Sequence, residues 1–152
     1  MLLMITYGGL LSAQPAFIKW DKMEQLLHPQ SDTLYVINFW ATWCKPCIEE
    51  LPAFVEAEKN LKNEKVSFIY ISMDFKREFN TRFSPFVEQH LKGKTVYLLD
   101  EPDYNAWISK VNDEWQGEIP ATLLIRNHPA VSSFHGRQLT NSELNQLIKS
   151  QL

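Results

Sequence analysis

Residues 39–47 read FWATWCKPC: Phe39, Trp40, Ala41, Thr42, Trp43, Cys44, Lys45, Pro46 and Cys47. The chain has two cysteines, and both lie in this stretch. Three readings compete: a redox pair, half of a metal site, or two small apolar core residues. The residues just before it, TLYVINFW (33–40), are dense in β-branched and aromatic side chains and predict a buried strand. Those after it predict a helix from about Pro46 to Leu61. Proline suits a first helical turn, and Ile48, Leu51, Phe54, Val55 and Leu61 mark one apolar face. Pro52 falls inside that pattern and predicts a kink.

The pair therefore sits where a strand gives way to a helix. The unpaired N–H groups of a first helical turn, and the positive end of its dipole, stabilise a thiolate. A three-residue offset brings the two sulfurs within disulfide reach, with Cys44 outward and Cys47 sheltered. Cys44 is then the attacking nucleophile and Cys47 the resolving thiol of a mixed disulfide. Lys45 adds a positive charge beside them. Thiols in such motifs ionise at about pH 3.5–7.5.

The strand-to-helix junction, with Trp43 beside it and Pro46 opening the helix, speaks against inert core packing. A tetrahedral zinc site needs four ligands. His28, His90, His128 and His135 form no tight pair that would complete one. Copper(I), which accepts soft thiolate ligands, stays open as an alternative.

Outward from the motif, VSFIYISM (66–73) and TVYLL (95–99) predict further strands. Between them Phe79, Phe83, Phe86, Val87 and Leu91 recur at helical spacing, and Ser84-Pro85 predicts a helix start with Ser84 as its cap. Asp103 is expected to cap a helix carrying Tyr104, Trp107, Ile108 and Val111. ATLLIR (121–126) and AVSSFHG (130–136) read as an antiparallel hairpin turning at Asn127-His128-Pro129. Thr140 and Glu143 form a capping box before an amphipathic helix with Leu144, Leu147 and Ile148. Ahead of the motif, Phe17–Lys19 suggests an edge strand and Trp20–Leu27 a short amphipathic helix. Alternating strands and helices closed by a hairpin mean an α/β fold with a mixed central sheet flanked by helices.

The chain of 152 residues is sized for one domain, placed at residues 14–152. Its formal net charge of −3 gives no basic field for nucleic acid. Two cysteines build no disulfide framework, so the fold must rest on its core. Residues 1–13, apolar and uncharged, are too short for a helix spanning a bilayer, so no stable membrane span is expected there. They suit the apolar region of an export signal with cleavage near Ala13, although no Lys or Arg comes before Lys19 and Leu11 is bulky for the third position before the cut. An exported protein would work in the periplasm or cell envelope, an oxidising compartment. The alternative is a first strand at Leu2–Tyr7 in a cytoplasmic protein.

FWATWCKPC with Ile48-Glu49-Glu50-Leu51-Pro52 after it, and GEIPATLLI (117–125) further on, resembles the thioredoxin-like superfamily. Within it the match is to the bacterial envelope thiol–disulfide oxidoreductases of the TlpA/ResA type, and it covers about residues 30–152. The resemblance implies a thioredoxin-like fold with a central strand–helix insertion between Met73 and Gly117, and a C-terminal hairpin plus helix. It implies that Ile119-Pro120 is the cis-proline facing the cysteines. A cis bond there would expose the Ile119 backbone, on which an extended substrate strand could pair beside Cys44. Trp107, Trp115, Phe79 and Phe83 would be core or lining of the insertion. Thioredoxin carries an acidic residue where this chain has Asn38, while the TlpA/ResA type carries a glutamate at the position of Glu50. Glu50 is thus the expected acid/base acting on Cys47; the bland alternative makes it, like Glu49, exposed helix surface.

The activity so implied is reduction of protein disulfides, with catalytic Cys44, Cys47 and Glu50 supported by Trp43, Lys45, Pro46, Ile119 and Pro120. It calls for no cofactor and no metal. Its partners would be protein disulfide substrates and a membrane thiol electron donor. A peroxiredoxin-like peroxidase is a second reading. It would place Thr or Ser three residues before the reactive cysteine, where Ala41 stands.

Overall fold

The computed structural model describes residues 15–152, so the segment read as an export signal lies outside the described residues. Six strands form one sheet: β1 Ala16–Ile18, β2 Leu34–Trp40, β3 Val66–Ser72, β4 Val96–Leu99, β5 Ala121–Arg126 and β6 Val131–His135, in spatial order β1-β4-β3-β2-β5-β6. The first four run parallel, and β5 and β6 are antiparallel to their neighbours. The helices are α1 Trp20–Leu27, α2 Lys45–Asn60, α3 Ser84–His90, α4 Ile108–Val111 and α5 Asn141–Lys149. This is the mixed sheet and helix order expected from the alternation of apolar runs.

The central strand β2 is buried on both faces. Leu34, Val36 and Trp40 enter one core with Leu51 and Phe54 of α2, Val87 of α3, and Leu144 and Ile148 of α5. Ile37 and Phe39 enter the other, with Met23 of α1 and the indoles of Trp107 and Trp115. Period-two alternation along a strand covered on both sides gives this division. The capping box of α5 forms as expected: Thr140 Oγ accepts from the Glu143 N–H at 3.2 Å, and the Glu143 carboxylate accepts from the Thr140 N–H at 2.8 Å. Pro52 stands within α2, which runs through it. Among the described residues no helix is long and apolar enough to cross a membrane.

Two local expectations fail. Ser84 caps nothing: its backbone is helical, and its N–H reaches the Phe79 carbonyl, five residues back, at the end of a π-helical turn over Phe79–Phe83. Pro85 has no N–H and its ring would press on the carbonyl four residues earlier, so a widened turn ahead of it lets the helical path continue. Asp103 makes no side-chain cap either. The expected helix breaks into a 3₁₀ turn, Tyr104–Ala106, and the single turn of α4. Trp107, at φ −136° between the two, is buried, and its indole donates to the Glu101 carbonyl oxygen at 3.1 Å. Burying that ring and satisfying its N–H outweighs helix continuity.

Candidate active site

The C-terminal ends of β2 and β3 and the start of β5 meet at one edge of the sheet, where α/β folds place their sites. The last antiparallel partner of β2 is the pair Phe39–Ala121. That register sets Pro120, just before β5, against the turn that leaves β2. The turn closes with the Cys44 N–H on the Ala41 carbonyl oxygen at 3.2 Å, and α2 begins at once with Lys45 and Pro46.

Cys44 and Cys47 form a disulfide, S–S 2.04 Å, with Cys44 6% and Cys47 0% exposed. Both are buried, Cys44 only slightly less than Cys47, although Cys44 was expected to face outward. Cys44 is also the N-cap of α2, its sulfur accepting from the Cys47 N–H at 3.3 Å. That donor, with the helix dipole, favours negative charge on Cys44 once the disulfide opens. The Ile119–Pro120 bond is cis, as expected, and so is His128–Pro129 in the β5–β6 turn. The Ile119 carbonyl oxygen lies 3.7 Å from the Cys44 sulfur. Trp43, half exposed, stands beside the disulfide. Lys45 extends into solvent with its ammonium 3.8 Å from Glu49, so water and that carboxylate screen its charge.

Glu50 is not helix surface. It is 2% exposed, inside α2, while Glu49 one residue earlier is open to solvent. Its Oε1 accepts from Asn38 Nδ2 at 2.9 Å and its Oε2 from the Leu139 N–H at 2.8 Å. Burial pushes the carboxyl up to about 7, against the opposing pull of those two donors. A group ionising there can hold or release a proton near neutral pH.

The sequence reading missed the groups that hold the site in place. Asn38 was read only as unable to take a proton; it is the residue that grips Glu50. A lone amide in the apolar run TLYVINFW was the available signal. Leu139 acts through its backbone, which carries no sequence signal. Asp74, buried after β3, bonds Thr42 in the turn through both of its oxygens. Among the described residues no group of three or more Cys, His, Asp and Glu gathers as metal ligands, so a metal here would have the two sulfurs alone from that set.

Beside the disulfide a cavity of about 360 Å³ opens, with Trp43, Phe75, Tyr104, Ile108, Gly117 and Ile119 in its wall. Gly117 has φ +91°, and a Cβ there would come within 2.7 Å of Ile108 Cδ1. A side chain at 117 would strain the loop that presents Ile119.

The sequence model of the AhpC/TSA family matches residues 21–133. Among curated relatives, the thioredoxin-like protein YneN of Bacillus subtilis is 23% identical over 111 residues, 73% of this chain and 61% of its own. The thiol-disulfide oxidoreductase ResA of Oceanobacillus iheyensis is 38% identical over 98 residues, 59% of this chain and 50% of its own. The chain thus spans half to about three-fifths of the length of these relatives. Among solved structures, the thioredoxin-related protein of Neisseria meningitidis serogroup B superposes with TM-score 0.67 at 19% identity, covering 82% of this chain and 89% of that one. A thiol:disulfide interchange protein from Chlorobium tepidum superposes with TM-score 0.63 at 21% identity, covering 79% and 80%. These likenesses fix the fold as thioredoxin-like, and the family match spans most of the sheet and the whole cysteine motif: the chain belongs to the AhpC/TSA family.

Proposed function

We propose that the chain is a thiol–disulfide oxidoreductase that reduces disulfides in proteins of the cell envelope. The observation that carries this reading is the Cys44–Cys47 disulfide at the head of α2, with the Ile119 carbonyl facing one sulfur and Glu50 buried in the same helix turn. In the reduced protein the Cys44 thiolate attacks one sulfur of a substrate disulfide. The substrate S–S bond breaks, its other sulfur leaves as a thiolate and takes up a proton, and a mixed disulfide joins Cys44 to the substrate. Glu50 accepts the Cys47 proton, and the Cys47 thiolate attacks the Cys44 sulfur. The Cys44–substrate bond breaks, the second substrate sulfur departs and is protonated, and the protein is left as the disulfide. Two electrons have passed from protein to substrate; one of the two protons comes from Cys47 by way of Glu50 and the other from solvent, and a thiol donor must return the electrons.

Protein substrates are supported by the backbone at Ile119 and by the apolar cavity flanking Cys44, which suit an extended polypeptide better than a small thiol. The envelope setting is supported by the apolar N-terminal segment and by the likeness to a Mycobacterium tuberculosis protein described as a secreted disulfide oxidoreductase. In that setting, outside the reach of the glutathione and thioredoxin that keep cytosolic thiols reduced, recharging would fall to a membrane thiol donor. Insulin-disulfide reduction tests the activity: wild type should reduce insulin with a thiol reductant present, and Cys44→Ser should not. Cys47→Ser should accumulate mixed disulfides through Cys44, and their absence would remove the two-step scheme.

A further inference from the structure

Asp74 is a buried carboxylate that the steps above do not use. It is 3% exposed and forms no ion pair among the described residues. Its Oδ2 accepts from the Thr42 N–H at 3.0 Å and from the Ser72 hydroxyl at 2.6 Å, and its Oδ1 from the Thr42 hydroxyl at 2.5 Å. Ser72 is oriented in turn, its oxygen accepting the Asp74 N–H at 3.0 Å. Thr42 is the second residue of the Ala41–Cys44 turn, so its N–H points away from the turn's own hydrogen bond. Without Asp74 that donor would be an unpaired group at the base of the redox site.

The same carboxylate, held by three hydrogen bonds but by no ion pair, sits under the turn that carries Cys44, bonded to Thr42 two residues before it. The Tyr104 phenol, whose hydroxyl lies 3.4 Å from the Met73 carbonyl oxygen, is pushed up by burial and by the charge of Asp74. Nearby cations are spoken for: Lys76 pairs with Asp100, Arg77 lies over the Phe75 ring at 4.8 Å, and Lys45 faces solvent beside Glu49. Of the acidic groups on the flanking elements, Glu50 lies inside α2 and Glu118 is exposed in the loop before Pro120.

We propose that Asp74 is a positioning residue of the redox site: it anchors the turn that carries Cys44, and its charge sets how readily the Cys44 thiolate forms. The proposal rests on the oxidoreductase reading. Two groups favour the thiolate, the Cys47 N–H and the helix dipole, and Asp74 opposes them. A thiolate held back in this way keeps the dithiol a stronger reductant, because a more stable reduced form makes a stronger oxidant.

The test uses the full chain in a Cys47→Ser background, so that iodoacetamide reads Cys44 alone. The pH midpoint of its alkylation is compared with and without Asp74→Asn and Thr42→Val. Asparagine keeps an oxygen for the Thr42 N–H and removes the charge. The midpoint should fall by about half a pH unit, raising the thiolate fraction below the midpoint about threefold. Thr42→Val keeps the charge and strips one donor from it, so the midpoint should rise. A turn that is merely loosened would move both variants the same way or neither. An unmoved or raised midpoint in Asp74→Asn, or a fall in both variants, overturns the proposal. If Asp74→Asn does not fold, Thr42→Val decides alone, a rise supporting the proposal and any other result overturning it. Wild-type insulin reduction is measured alongside. Its absence overturns the oxidoreductase reading itself, whereas activity with an unmoved Asp74→Asn midpoint overturns the Asp74 proposal only.

Discussion

Asn38 Nδ2 donates to Glu50 Oε1 across 2.9 Å, tying the middle of the central strand to the first turns of the helix that carries both cysteines. The amide also reaches Thr122 Oγ1 at 3.5 Å, while its own Oδ1 has no partner. Asn38 thus presents hydrogens, not an oxygen, to the carboxyl. It favours the charged form of Glu50 while burial favours the neutral one. The strand residue and the helix residue form one device. Removing the acid from the strand leaves a donor that tunes the acid on the helix.

Glu50 should make stability fall as pH rises. Its carboxyl is raised from 4.5 to about 7 in the folded protein, so between those values the folded state holds a proton that the unfolded chain has released. The stabilisation is complete below about pH 4.5 and gone above about pH 7, with a total of roughly 3 kcal/mol. Urea unfolding of the oxidised protein from pH 4.5 to 8.5 should show this decline, and Glu50→Gln should flatten it. An equal slope in both proteins would mean that Glu50 is not the group responsible.

Glu50→Gln should also slow the resolving step. Glutamine fills the same space but cannot take the Cys47 proton, so the mixed disulfide should persist about 100-fold longer at pH 7, the lower end of what a positioned acid/base contributes. Stopped-flow reaction of the reduced protein with a peptide disulfide separates the two steps: the first attack by Cys44 should keep its rate while the second slows. A lifetime unchanged within threefold would return Glu50 to a structural role.

Asn38→Leu should move the Glu50 midpoint above about 7, because the variant loses a donor that favours the carboxylate and retains the burial that opposes it. Below that midpoint Leu should cost little, since one polar atom of Asn38 is already unpaired. Above it the carboxylate keeps only the Leu139 N–H, and the variant should lose roughly 1–3 kcal/mol more than wild type. A ¹³C-labelled Glu50 carboxyl followed by NMR reads the midpoint directly; a midpoint that stays put or falls contradicts the pairing.

How much of this was readable from the chain follows from how local each signal is. The cysteine pair, Pro46, the strand before it and the capping box of Thr140 and Glu143 are short-range patterns, and they formed where the sequence placed them. Glu50 was distinguished from Glu49 by resemblance alone, since both lie on one helix turn; the difference is which side of the helix meets β2 and the Leu139 loop. Ser84 and Asp103 carried good local capping signals that lost to tertiary demands, the widened turn ahead of Pro85 and the burial of Trp107. The grip of Asp74 on Thr42 spans 32 residues and depends on β2 and β3 lying in register. No window on the sequence contains both ends of it.

Phe75 and Trp43 should matter for protein substrates and little for small ones. Both are about half exposed, at 45% and 50%, beside a disulfide that is nearly closed to solvent. Large apolar side chains left open around a reactive centre mark a contact surface more often than a folding need. They stand in the wall of the 360 Å³ cavity together with Ile119, so a chain pairing at the Ile119 backbone would lay a side chain into it. Phe75→Ser removes apolar wall without touching the sulfurs, Glu50 or the Asp74 bonds. It should raise KM for insulin or an unfolded disulfide protein about tenfold, the loss of roughly 1.4 kcal/mol of contact, and leave kcat nearly unchanged. A small aromatic disulfide reagent reaches Cys44 without filling the cavity, so its reduction should stay within twofold of wild type. Equal losses on both substrates would mean that the substitution had disturbed the redox site, and an unchanged KM for the protein would mean that substrates approach from another side.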